Sequence, residues 1–151
     1  MRVDSAHGVV EATREQVYRA FFDPDLLVAW LPPSGMSGRL ERFEAQAGGG
    51  FRMVLTYDDP SEAPGKFTAD SDVSEVRFAE LEPGHRVVWE VDFPADAPSF
   101  AGTMMMTWTF AAHGRGTSVE VVATGVPDGI DADAHAAGLR SSLENLARLL
   151  Y

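Results

Sequence analysis

Four histidines, His7, His85, His113 and His135, are the side chains of this sequence best suited to proton transfer near neutral pH. None stands in a metal-ligand spacing such as H-E-x-x-H, and the chain has no cysteine to complete a thiolate site. His85 and His113 fall among turn residues, where solvent reaches them. His135 stands one helical turn before Leu139 and reads in two ways: a helix-surface residue, or a hydrogen-bond donor or general acid/base at a cavity mouth. The serines show no G-x-S-x-G elbow, and Gly48-Gly49-Gly50 lacks the lysine and hydroxyl of a phosphate-binding loop. Asp128 to Asp133 does not follow the calcium-loop pattern and reads as a turn plus a helix cap. Asp58, Asp59 and Glu62 read as solvated loop acids. Glu90 and Asp92 alternate with Trp89 and Val91, which reads as two acids on an outer sheet face rather than a paired-carboxylate catalytic site. Arg39, Arg42 and Arg52 fall on neighbouring strands, where they either meet a ligand carboxylate or pair with surface acids. No residue is assigned a catalytic role, and no metal or cofactor is expected.

The aromatic and methionine residues carry more information. Phe51 and Met53, Trp89 and Phe93, and Met104, Met106 and Trp108 recur at strand spacing. With Trp30, Met36, Phe67 and Phe110 they would face one concave side. Aromatic rings stack on flat ligands and methionine adapts to irregular ones. The same residues also suit an ordinary core.

The elements that must position them are legible. An extended segment runs from about Val3 to Ala12. Thr13-Arg14-Glu15-Gln16 has the form of a capping box, and Val17, Tyr18, Ala20 and Phe21 follow at helical spacing. Asp23-Pro24 ends that helix and starts a second, with Leu26, Leu27 and Trp30 as its apolar face and Pro32-Pro33 as its stop. From Gly38 to Thr124 the period is two, broken by turn residues, which predicts consecutive antiparallel strands. The stretch Lys66 to Glu80 also reads as strand, and its apolar parity flips between Val73 and Val76, which predicts a bulge or a bend there. The turns include Pro94 to Pro98. After Asp131 the period is helical again: Ala136, Leu139, Leu143, Leu146 and Leu150 form one stripe over about eighteen residues, capped by Asp131 or Asp133.

Strands followed by a long helix make an α+β chain, in which a twisted antiparallel sheet curls around the leucine stripe. At 151 residues the chain is one domain, residues 1–151. It is 45% hydrophobic and 23% charged, which excludes a disordered composition. Lys plus Arg number 12 against 23 Asp plus Glu, a formal charge of −11. That charge opposes binding to nucleic acid or anionic membranes. No apolar run approaches the ~20 residues of a membrane span, and no signal peptide is evident, so a cytoplasmic location is expected.

The order of elements, with three segments, resembles the START-like (SRPBCC) superfamily with its helix-grip fold. It is closest to the branch called activator-of-Hsp90-ATPase-homologue-1-like. Val9 to Phe21 is similar to the opening strand and capped first helix of that branch. Asp23-Pro24 to Ala29-Trp30-Leu31 is similar to its second helix, and Gly138 to Leu150 to its C-terminal helix. Relatives often carry Trp directly after that glycine; here the residue is Leu139, and a smaller side chain there is expected to enlarge or reshape the interior.

The resemblance implies a cavity between the long helix and the sheet. Relatives bind lipids, sterols, plant hormones or polyketides there, and some are cyclases. The first expectation is therefore binding of a small apolar or amphipathic molecule, without catalysis, by the concave aromatic and methionine set together with His135 and Leu139. The second is a protein-interaction module of the co-chaperone kind, although an Hsp90-type partner is not carried over, because the true co-chaperone has an additional N-terminal domain. The third is a cyclase or hydrolase using the same cavity. An exposed edge strand allows a homodimer.

Overall fold

The computed structural model describes residues 2–58, 71–94 and 98–150. Their elements run β1 (Val3–Val10), α1 (Arg14–Arg19), α2 (Pro24–Trp30), β2 (Met36–Glu44), β3 (Gly50–Tyr57), β4 (Ser71–Glu82), β5 (Arg86–Asp92), a 3-10 turn (Pro98–Phe100), β6 (Thr103–His113), β7 (Gly116–Thr124) and α3 (Ala132–Leu150). Phe67, Asp59, Glu62, the Lys66–Asp70 part of the expected strand and the middle of the Pro94–Pro98 turn lie outside the described residues.

The local signals for the two short helices act as written in the sequence. The Thr13 hydroxyl accepts from Gln16 N at 3.1 Å, and Gln16 Oε1 accepts from Thr13 N at 2.8 Å. Asp23 Oδ1 accepts from Asp25 N and Leu26 N, with Pro24 in the first turn where its missing N–H costs nothing. Of the two cap candidates for α3, Asp131 is the one used: its carboxylate accepts from Ala134 N at 2.8 Å. The first strand ends at Val10, two residues before the expected Ala12.

The seven strands form one antiparallel sheet in the order β1-β7-β6-β5-β4-β3-β2. Sequence neighbours pair throughout, except that β1 crosses to join β7. That crossover curls the sheet into a half-barrel and leaves β1 and β2 as its edges. The β6–β7 turn passes through Gly114 at φ 58°, a left-handed conformation that glycine adopts without a Cβ clash. Helix α3 lies in the curl, packed on β1 and α2. The approach to β1 is close at Gly8, where an added Cβ would stand 3.6 Å from Leu143 Cβ.

Of the bulge or bend expected in β4, the bulge is not found. No bulge separates Val73 from Val76, because β4 pairs with β3 in unbroken register from Ser71 to Arg77. The ladder irregularities lie between Phe78 and Glu80 against β5, and between Leu40 and Arg42 against β3. The parity flip has another cause. Asp72, Ser74 and Val76 sit opposite Leu55, Met53 and Phe51, so β4 turns two polar residues to the inner face.

The core is dense at one end of the curl. Phe21, Trp30 and Trp108 are fully buried, with ring centroids 4.8 to 5.6 Å apart in tilted and edge-to-face contacts. The Trp30 indole donates to Ala20 O at 3.0 Å, tying α2 to the end of α1. Polar side chains of α3 fasten it to the segment after α2: Ser142 Oγ donates to Leu31 O, and Asn145 Nδ2 donates to Pro32 O at 2.9 Å.

Candidate functional site

At the other end of the curl the helix and sheet separate and leave a pocket of about 580 Å³. The sheet and the helix both contribute to it. The β3 wall supplies Phe51, Met53, Leu55 and Tyr57, and β4 supplies Asp72, Ser74 and Val76. From β5 and β6 come Trp89, Val91, Met104 and Met106, with Phe93 and Phe100 beyond the strand ends. Helix α3 and its approach close the pocket with Ile130, Asp131, His135, Gly138 and Leu139, and Met36 stands at the start of β2.

Of the residues expected to line a cavity, Met36, Phe51, Met53, Trp89, Phe93, Met104, Met106, His135 and Leu139 surround this pocket. Trp30, Trp108 and Phe110 do not. The inward strand parity of Trp108 and Phe110 and the apolar helix face of Trp30 carry these side chains into the packed end, against Phe21. Trp89 bridges the two regions: it belongs to the pocket wall and also packs against Trp108 at 5.0 Å and Phe51 at 5.3 Å. Its indole nitrogen is buried and meets no acceptor among the described residues.

Two polar clusters stand in or beside the apolar wall. The first is Asp72, only 3% exposed, whose Oδ2 accepts from the Tyr57 hydroxyl at 3.1 Å. Burial, then the charge and hydrogen bond of Asp72, push the Tyr57 phenol up to about 12. The second is built on Asp4, which β1 places on the inner face opposite Ala123. Its Oδ2 lies 2.9 Å from Arg2 Nη2 and 2.7 Å from His135 Nδ1. Burial alone would raise the Asp4 carboxyl, but the hydrogen bonds and charges of Arg2 and His135 outweigh it, and its pKa falls below the ordinary value. Arg2 Nη1 also donates to Ile130 O, so β1 and the approach to α3 are joined twice.

Of the two readings of His135, the helix-surface one fails: its side chain is 15% exposed and held by Asp4. Asp72, Ser74, Tyr57 and Asp4 were not singled out in the sequence. Their signal was present for Asp72 and Ser74 as the parity flip in β4, a polar alternation on what should be an apolar face.

The arginines resolve toward surface pairing. Arg52 reaches Glu41 and Glu75, Arg42 reaches Glu44 and Glu75, and Arg39 reaches Glu41. Arg77 holds Glu90 and Asp92, which places those acids on the outer face as expected. Among the described residues, no group of three or more His, Asp or Glu is placed to hold a metal ion, and no helix is long and apolar enough to cross a membrane.

A half-barrel sheet gripping a C-terminal helix, with two short helices after the first strand, defines a helix-grip protein of the START-like class. Within it, the chain belongs to the activator of Hsp90 ATPase homolog 1-like family, whose match spans residues 11–151. No curated protein matches the sequence. Protein CV1439 from Chromobacterium violaceum is 32% identical over 98% of this chain and 96% of that one, with a TM-score of 0.85. The Aha1 dimer from Colwellia psychrerythraea is 18% identical, over 99% of this chain and 96% of that one, with a TM-score of 0.65. DynU16, from the dynemicin biosynthetic locus, is 20% identical, with a TM-score of 0.68 over 98% of this chain and 46% of that one. The last two likenesses concern the fold.

Proposed function

We propose that this protein binds a small hydrophobic or amphipathic molecule between the curved sheet and α3, without catalysis. The observation that carries the reading is the pocket itself. Its volume of about 580 Å³ falls inside the range of roughly 300–1,000 Å³ typical of small-molecule sites. Its wall is mostly apolar with a few convergent polar groups, the usual composition of such sites. A core that existed only for stability would be packed to near-crystalline density, as the Phe21–Trp30–Trp108 end is.

Native mass spectrometry of the protein isolated from cells, repeated after denaturation, tests this. The expected result is a mass excess that disappears on denaturation and identifies the ligand. An apo mass, together with no change in tryptophan fluorescence or melting temperature across a library of apolar small molecules, would overturn it.

The same spectrum counts subunits. We propose a homodimer as the assembly to look for, since the Colwellia relative is described as a dimer and the edge strands β1 and β2 each offer an open ladder. An Hsp90-type partner forms no part of the proposal.

A further inference from the structure

The two edges of the sheet are unlike. Edge strands of natural proteins resist pairing with a foreign strand through charged side chains, prolines, bulges or shortness. Strand β2 has two of these devices: exposed Arg39, Glu41, Arg42 and Glu44, and a break in its ladder between Leu40 and Arg42. Strand β1 has none of them on its exposed side. It is eight residues long, contains no proline and holds unbroken register with β7 from Val3 to Val10. Its exposed side chains are Val3, Ser5, His7 and Val9. Val3, at 56%, and Val9, at 47%, are the most exposed large hydrophobics among the described residues. The charge on its inner side, Asp4, is held by Arg2 and His135 of the same chain. Among the described residues, β1 pairs with β7 alone.

The spacing along β1 fits a second copy of itself. The two valines lie at equal distances on either side of Ala6, and so do Ser5 and His7. In an antiparallel pair centred on Ala6, each Val3 stands opposite a Val9 and each Ser5 opposite a His7. Directly opposed apolar side chains stabilise such a pair, and no like charges are opposed. On the inner side Ala6 meets its own copy and Gly8 meets Asp4 of the other copy. A two-residue shift either way sets Val3 against His7 or Val9 against Ser5, and leaves the other valine beyond the partner strand. Two copies of a chain with a net charge of −11 repel each other, which favours contact along a strip whose exposed side chains include no carboxylate.

We infer that β1 is the dimer edge: two copies join β1 to β1 around a two-fold axis at Ala6, and their two seven-stranded sheets become one. This rests on the homodimer reading above and names its edge and register.

Sedimentation velocity over a concentration series tests it. The unaltered protein should sediment at twice the mass of the chain. Val3→Lys/Val9→Lys sets lysine opposite lysine in both outer pairs, and self-association should weaken about tenfold or more. That variant is less negative overall, so general repulsion between copies cannot account for the loss. Val3→Lys/Val9→Glu sets opposite charges across the same pairs and should restore the dimer. Arg39→Glu, on β2, should leave the dimer intact. The three altered side chains are exposed, and thermal melting checks that each variant is folded. A dimer that survives Val3→Lys/Val9→Lys, that Val3→Lys/Val9→Glu does not restore, or that Arg39→Glu dissolves would overturn the inference and leave the homodimer reading standing. An unaltered protein that stays monomeric up to about 1 mM would overturn both.

Discussion

His135 Nδ1 lies 2.7 Å from Asp4 Oδ2, across 131 residues of chain, and Arg2 reaches the same carboxylate oxygen at 2.9 Å. One buried aspartate thus ties the first strand to the first turns of the last helix, at the edge of the pocket. An arrangement of this kind stabilises only while the carboxylate is ionised.

The pH dependence follows from the depressed pKa of Asp4. A carboxyl whose pKa falls on folding stabilises the fold above its unfolded value of 3.8. The contribution shrinks as pH drops below that value and is gone once the folded carboxyl is protonated. Asp4→Asn should therefore cost about 2 kcal/mol at neutral pH, as expected for a hydrogen bond to a charged group. Urea unfolding at about pH 7, 5 and 3 checks this, with the gap between the two proteins closing at the acid end. A constant gap would show that the ion pair contributes nothing specific.

Tyr57 gives a spectroscopic signature. Its phenol is raised from 10.0 to about 12, so the fold loses stability as pH climbs from 10 toward 12, where the unfolded phenol is already ionised. Phenolate absorbance should show a late step that Tyr57→Phe removes. Asp72→Asn should bring that step only part of the way back, because burial is the larger cause and persists.

Filling the pocket tests whether its volume matters. Leu139 is buried and lines the pocket. Leu139→Trp should reduce ligand affinity by about tenfold or more. Stability should change by less than about 1.5 kcal/mol, because the larger ring has empty space to enter. Unchanged binding of a pocket-sized ligand would place the site elsewhere.

Gly129 offers a way to loosen the mouth. A Cβ there would stand 2.8 Å from the Phe100 ring and 2.9 Å from Ser99 O, so Gly129→Ala must displace the Pro98–Phe100 turn. Since Phe100 lines the pocket, ligand dissociation should accelerate while the fold loses about 1 kcal/mol. Stopped-flow displacement and thermal melting measure the two effects separately.

The fold was readable because its signals are local or periodic. The capping box at Thr13, the Asp23-Pro24 start, the alternation from Phe51 to Phe110 and the leucine stripe from Leu139 to Leu150 each follow from short-range backbone and side-chain geometry. Parity also marked which strand residues face inward. It could not say which of them meet a neighbour and which meet empty space. Trp108 shares the strand alternation of Trp89, yet Phe21 and Trp30 fill the room beside it, and only the placement of the short helices decides that. The polar groups of the pocket depended on tertiary structure for a similar reason. The parity flip in β4 is equally compatible with a bulge or with inward polar residues, and the β3–β4 register chose the second, setting Asp72 beside Tyr57. Asp4 and His135 lie at opposite ends of the chain, so no spacing rule connects them. They meet because β1 crosses to pair with β7 and α3 returns across β1. Local periodicity thus wrote the elements and their buried faces, while the pocket and its charged groups arose from long-range contacts that determine where apolar faces separate instead of closing.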